Sequence, residues 1–371
     1  MRSYESAPTV LALLACGGLL AGCGDGSVDP VEPTQPTEAA FGKSGKPGGE
    51  GTTGVETVVL QGLTRRGATR AYGVNSSGIV VGSAVTASGA SVPVRWLPQA
   101  GAWGAPSILT SSSEGGGARA INDAGYVVGT VRSGSVSIAV VWTPDGTPVE
   151  LGPGFPQDIN ERNTIVGSVP GVGPVVWRFN AGMGTWAMEP LPVPGGGSVN
   201  GAWAIDDLED VVYGSRPEGV NPSGGSAERA IAWRYVGGSW SEPSPLNQTG
   251  FVSSTGRDSH GGGNIVGGAV AAGGQCYVVV RWGTSSAQPS TIAGLATGSS
   301  SANDQTRTGE IVGTANPDGC VGGRAFWWSP IEGLRWLSSK GGEAHAAAGE
   351  GVVVGVLRGA ATTQAVAWRM P

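Results

Sequence analysis

One phrase recurs seven times along the chain and sets what it can fold into. Each copy carries a short anchor: Gly, Asn or Asp, any residue, two mostly β-branched residues, then Gly. The anchors are 78–82, 125–129, 163–167, 210–214, 263–267, 309–313 and 351–355. A Trp follows each anchor ten to nineteen residues later, at Trp96, Trp142, Trp177, Trp233, Trp282, Trp328 and Trp368. The closing Gly recurs at intervals of 47, 38, 47, 53, 46 and 42 residues. A period of this size marks an array of like supersecondary units rather than one continuous core.

Within a unit, the turn position is Gly78, Gly125, Asn163, Asp210, Gly263, Gly309 or Gly351. These residue types tolerate positive φ, as a tight hairpin demands. The reading is strand A, turn, strand B. A variable loop leads to strand C, which places Val94, Val140, Val175, Ile231, Val280, Phe326 or Val366 two residues before its Trp and so on the same face. Pro98, Pro144 and Pro330 end strand C, and a ragged strand D follows, for example at 148–151, 190–192 and 333–337. The 67 Gly of the 371 residues, and the lack of any long 3.6-residue apolar period beyond the N-terminus, agree with many short strands.

Four strands in roughly 45 residues is the size of a propeller blade. The last copy ends just past Trp368 with no room for strand D, whereas 56–63 reads as a strand D with no A, B and C of its own. Laid on the seventh unit it closes a ring and removes open sheet edges. The expected fold is therefore all-β, a seven-bladed β-propeller over 56–371.

The N-terminus reads as a targeting segment. An apolar run from 7 to 20 ends in Leu20-Ala21-Gly22-Cys23, which is similar to a bacterial lipobox. This implies a signal peptide over 1–22 and lipidation at Cys23. With Gly24 following, the usual sorting rule points to the outer membrane or cell surface. Residues 24–55 are rich in Pro, Gly, Thr and Ser and read, together with Cys23, as a disordered tether. The net charge of −6 with scattered Lys and Arg argues against a nucleic-acid partner. The membrane is reached through the lipid alone, and a monomer is expected.

The copy at 118–129 and the stretch Arg324-Ala325-Phe326-Trp327-Trp328 resemble the bacterial HAF repeat, also described as a probable extracellular repeat. Its pattern is Ala-x-x-Ile-Asn-x-x-Gly-x-Val-Val-Gly followed by His-Ala-Phe-x-Trp. Residues 71–82 and 156–167 match less fully, and strand A is eroded in copies five to seven. The resemblance spans about 56–371. It implies an exported, propeller-like protein, and it brings neither a catalytic activity nor site residues.

Candidate chemistry is sparse. Neither of the two His, His260 and His345, lies in a nucleophile motif, so no catalytic residue is assigned. No metal or cofactor is expected; Asp206, Asp207, Glu209 and Asp210 read as a solvated turn. Cys276 and Cys320 stand on the B-to-C limbs of consecutive copies and are expected to form a disulfide between blades 5 and 6. The framework Trp read as packing between blades, whereas Trp103, Trp186, Trp203, Trp240, Trp327 and Trp336 include candidate exposed platforms. What varies at one place in strand A is Tyr72, Arg119, Gln157, Trp203, Arg257, Asn303 and His345. If strand A is innermost, these seven ring the central channel and suit a polar ligand such as a glycan or peptide, or a protein partner. The expected function is a non-catalytic envelope binding protein. The alternatives are a propeller-based glycan hydrolase or lyase and a structural envelope component.

Overall fold

The computed structural model describes residues 54–109, 115–193, 199, 201–207, 210–220, 226–259, 264–339, 341–349, 351–359 and 362–371. Cys23, His260 and Glu209 lie outside them, as do the lipobox and most of the tether. Every regular element among the described residues is a strand. Apart from a two-stranded ribbon of Pro98–Gln99 and Ala102–Trp103, the strands form seven antiparallel sheets in sequence order, each with strand A at one edge and strand D at the other, and the protein is a seven-bladed β-propeller. Strands A are Thr69–Val74, Gly116–Ile121, Phe155–Ile159, Gly201–Ile205, Phe251–Ser259, Ser299–Gln305 and Gly342–Ala348.

The ring closes with strands from both ends of the described chain. Glu56–Val59 is the outer strand of blade 7 and pairs with strand C there, Thr363–Arg369, setting Thr57 opposite Trp368 and Val59 opposite Val366. Leu60 N–H extends the ladder to the Ala365 carbonyl at 2.9 Å, and Arg369 meets Glu56 at 3.2 Å. The ladder is thus shorter than the expected 56–63, because Gln61 turns to accept from Trp96 Nε1 of blade 1 at 2.8 Å. One segment therefore holds blade 7 and blade 1 together. A second difference concerns blade 3, where strand D is Thr185–Pro190 rather than 190–192. Asn180 caps the preceding turn early, and strand C runs on to meet it.

Seven hydrophobic clusters stand at the seven seams between blades. The framework Trp of each blade packs back on the blade before it: Trp142 on Val81 and Leu109, Trp177 on Val128 and Val141, Trp233 on Val166 and Val176. Six of the seven are at most 1% exposed, which makes them the largest buried side chains of the ring. Truncating such a residue costs about 3–5 kcal/mol in comparable cores. Trp328 is the exception and is only half-buried. Blade 6 carries Phe326 where the other copies have Val or Ile, and its fully buried ring fills that seam. Cys276 and Cys320, on the B-to-C loops of blades 5 and 6, are joined by a disulfide with Cα atoms 5.3 Å apart.

If Glu56–Val59 closes the ring, a chain starting at residue 62 should unfold at distinctly lower denaturant than one starting at 54. Equilibrium unfolding followed by Trp fluorescence checks this, and equal midpoints would show that closure does not depend on the segment.

Candidate functional site

Each strand A contains a β-bulge at an equivalent place, and the longer strand A of blade 5 has a second irregularity between Phe251 and Ser253. The A–B register slips between Ala71 and Gly73, Ala118 and Ala120, Pro156 and Asp158, Ala202 and Ala204, Gly256 and Asp258, Ala302 and Asp304, and Ala344 and Ala346. The residue left without a ladder partner is Tyr72, Arg119, Gln157, Trp203, Arg257, Asn303 or His345. A bulge re-aims its extra side chain. Here all seven line the central channel, a cavity of about 870 Å³.

The closing Gly of each repeat is what permits the bulge. Gly82 lies opposite Ala71, and a Cβ on it would run into the Arg70 carbonyl oxygen and carbon. Gly129, Gly167, Gly214, Gly267, Gly313 and Gly355 face the same obstruction from the bulged strand. In the turns, Gly78, Gly125, Asn163, Gly309 and Gly351 have φ between 59° and 85°, as hairpin chemistry requires.

The channel side chains differ in how they are held. His345 stacks on Tyr72 with ring centroids 5.2 Å apart, and its ring nitrogens face the Ala71 carbonyl at 2.7 Å and Glu343 Oε2 at 3.1 Å. Asn303 Nδ2 donates to the Ala344 carbonyl at 2.7 Å. These two side chains tie blade 7 to blade 1 and blade 6 to blade 7. Trp203 Nε1 donates to Ser215 Oγ at 3.3 Å within its own blade. Arg119 lies over the Tyr72 ring and Arg257 over the Trp203 ring, each 5.6 Å from the centroid. Among the described residues neither guanidinium has an ion-pair partner. Burial lowers the Arg257 pKa, the charge of Glu228 opposes that shift, and the charge of Arg119 acts in the same direction as burial.

A set of carboxyl groups stands one residue beyond the bulge in blades 3, 5 and 6. Asp158 Oδ2 accepts from Ile205 N–H at 2.9 Å, Asp258 Oδ2 from Gln305 N–H at 2.7 Å and Asp304 Oδ2 from Ala347 N–H at 2.7 Å, each reaching the next blade. Burial raises Asp158 to about 6. Burial first, and then the Asp304 charge, raises Asp258, whose carboxyl also hydrogen-bonds to that of Asp304. A bond between two carboxyl groups needs a shared proton. Inspection of the repeats passed these residues over, although a signal was there: Asp stands where the other copies have Gly73, Ala120, Ala204 and Ala346. Glu343 differs, because its bonds to His345 and Arg358 hold it down to about 2 despite burial.

The acidic turn of blade 4 is not simply solvated. Asp206 is 1% exposed and accepts from Ser259 Oγ at 2.8 Å. Asp210 meets Arg162 and Arg178 of blade 3 at 3.5 and 3.7 Å, and Asp207 meets Arg307 at 3.9 Å. Among the six Trp outside the framework, Trp103, Trp240 and Trp327 are at most 8% exposed and Trp203 is the one that lines the channel.

No family model matches the chain, and no curated protein sequence matches it. Its fold is similar to that of the β-propeller domain of the Trilobed protease from Pyrococcus furiosus, at 10% identity and a TM-score of 0.56 over 82% of this chain and 93% of that one. It is also similar to the WD40 repeats of RRP9, at 11% identity and a TM-score of 0.52 over 85% and 97% of the two chains. An acylaminoacyl peptidase aligns at 11% identity and a TM-score of 0.54 over 82% of this chain and 51% of that one. Identities this low speak for the fold alone.

Two outcomes are expected here. Gly82→Ala should destabilise the protein by about 2 kcal/mol or more, since an added methyl meets backbone that cannot move without undoing the bulge. Gly89→Ala, with open space around it but φ of 87°, should cost about 1 kcal/mol. Denaturant unfolding compares them, and equal costs would refute the close-approach account. The second outcome concerns pH. Between about 4 and 6 the folded chain keeps the Asp158 proton that the unfolded chain releases, so stability falls as pH rises through that range. The loss is at most on the order of 3 kcal/mol, since channel water screens part of it. Asp158→Asn should flatten the slope of unfolding free energy against pH, and an unaltered slope would exclude Asp158 as its source.

Proposed function

We propose that the protein is a cell-envelope lipoprotein, anchored through Cys23, whose propeller binds a polar ligand in its central channel and performs no chemistry. The carrying observation is that seven bulges aim seven side chains of six kinds into one cavity on an otherwise repeated frame. A spacer needs no such variation at the one position the frame leaves free. The cavity is of ligand size. The lipobox at 20–23 and the resemblance to the HAF repeat support export to the outer membrane or cell surface. The ligand is a glycan, a peptide or a segment of a protein partner at the envelope; nucleic acid does not suit the acidic chain, and one closed ring suits a monomer.

One observation favours a second reading, a propeller-based glycan hydrolase. The Asp258–Asp304 pair and the raised Asp158 place proton-holding carboxyl groups in the channel, as acid–base hydrolysis of a glycosidic bond requires. Both readings meet in one experiment. The purified 54–371 domain is screened against arrays of envelope polysaccharides and peptides, with turnover assayed in parallel. Capture without turnover is expected, and the Arg119→Ala, Trp203→Ala, Arg257→Ala triple variant should lose capture while keeping its melting temperature. Undiminished capture by the variant would remove the channel as the binding site, and consumption of a captured glycan would replace the binding reading with the hydrolase.

A further inference from the structure

The channel holds acids and bases in unequal states of satisfaction. Each of its acids is engaged. Asp123 Oδ1 accepts from Ser76 N–H at 2.8 Å, and Glu161 Oε1 from Asp123 N–H at 3.1 Å. Asp207 pairs with Arg307, and Glu343 with His345 and Arg358. Asp158, Asp258 and Asp304 are bonded to backbone N–H groups, the last two also to each other. Arg119 and Arg257 show the opposite. In a cavity with so many carboxyl groups, neither guanidinium has taken one as a partner among the described residues. Both belong to the bulge layer, on blades 2 and 5; Arg257 feels the charge of Glu228, with which it forms no ion pair, and then that of Arg119. Each is also laid over an aromatic ring, Tyr72 or Trp203, so its plane is held before any ligand arrives. Holding two like charges in a partly buried cavity is unfavourable unless an anion comes between them.

We propose that Arg119 and Arg257 form a clamp for the carboxylate of an acidic saccharide, a uronate-bearing glycan, bound in the channel. The proposal rests on the channel being a ligand site and names the ligand's chemistry. A guanidinium presents a planar fork of donors that matches a carboxylate, and two forks converging from opposite sides address both oxygens. The rest of the layer suits the sugar. At the level of the bulges the wall is polar or aromatic all the way round, with Gln157 and Asn303 between the two Arg–aromatic pairs. A sugar ring carries hydroxyl groups around its rim and meets such a wall on every side. An extended peptide directs its backbone groups along two edges and needs other accommodation for its side chains, which this layer does not offer. The nearby acids do not cancel the clamp. They are engaged with N–H groups, with cations or, for Asp258 and Asp304, with each other, and Asp158 alone is assigned the remaining lone pairs that meet sugar hydroxyls.

The test is calorimetric titration of the 54–371 domain with tri-galacturonate, with the methyl ester of the same trisaccharide and with tri-glutamate. The acid should bind at least about ten-fold more tightly than its ester, and more weakly as salt rises. Arg119→Gln and Arg257→Gln should each weaken the acid roughly ten- to a hundred-fold and leave the ester unaffected. Their melting temperatures should lie within a few degrees of the parent's, since neither side chain has an ion-pair partner among the described residues and the ring contact each gives up is a minor one. Equal binding of acid and ester would overturn the clamp while leaving the channel as a ligand site. Tighter binding of tri-glutamate would overturn the saccharide. Binding of none of the three would overturn the inference, and the array screen would then decide the channel reading separately.

Discussion

The contact between a bulged inner strand and a bare Cα is the constraint on which this ring depends. In each blade the carbonyl before the bulge sits where a side chain of strand B would stand, and only Gly leaves the room. Without that approach strand A would pair regularly with strand B, and its extra residue would return to the pleat. A side chain in the pleat faces one seam between blades or the other. The bulge sends it instead towards the axis. The same Gly that makes the repeat visible in the sequence thus builds the channel lining, and framework and site are two consequences of one steric event.

This arrangement separates the residues that must be constant from those free to vary. The seams need a large apolar side chain at one height, and Trp supplies it in six blades with its Nε1 bonded to the connector ahead of it in three of them, at Gln61, Pro192 and Asn247. Asn75, Asn122 and Asn160 each fold their own hairpin turn and donate to the carbonyl of the following blade's turn, at 3.0–3.2 Å. The bulged residue has neither duty by construction. Two of the seven have nevertheless acquired one, since Asn303 and His345 bond to the next blade, and in both the acceptor is the carbonyl just before that blade's own bulged residue. Blades 6 and 7 lack the Asn of the turn, and these contacts tie each to the following blade near the axis.

Much of this was legible from residues alone. The anchor Gly, the turn residue with positive φ and the Trp two positions past an apolar residue are local rules, each dictated by sterics within one blade. The seven channel residues followed from aligning copies, even where the alignment was loose, because the Gly spacing carries the register. The acids did not follow. Asp158, Asp258 and Asp304 occupy a position that is small in the other blades, and a single Asp beside a bulge looks like any polar residue near a turn. Their role arises from what the next blade presents: a backbone N–H in reach, or a second carboxyl group. The burial of Asp206 was missed for the same reason, since Ser259, its partner, lies 53 residues away on another blade. Trp328 shows the converse, a framework residue displaced by a neighbour, because Phe326 exceeds the Val or Ile for which the seam is shaped.

The acids beyond the bulge also couple the channel to the mechanics of the ring. Each holds the strand A of the next blade through a backbone N–H, so its charge state is set by a structural bond as much as by solvent. A ligand that donates hydroxyl groups to these carboxyl groups therefore pulls on the seams between blades 3 and 4, 5 and 6, and 6 and 7. The disulfide between Cys276 and Cys320 braces one of those three seams on the B-to-C loops, and Glu56–Val59 braces the outer edge of blade 7. The seam between blades 3 and 4 has neither support. It is held by the Trp233 cluster, the bonds from Asn160 to Asp206, from Trp233 to Pro192 and from Trp240 to Glu189, the ion pairs of Asp210 with Arg162 and Arg178, and Arg178 lying over the Tyr235 ring. The exposed or partly exposed ion pairs each contribute little, and the tie from Asp158 to Ile205 adds a backbone bond to the same seam. Proton uptake at Asp158 is thus felt at a seam that has no covalent or strand-exchange brace.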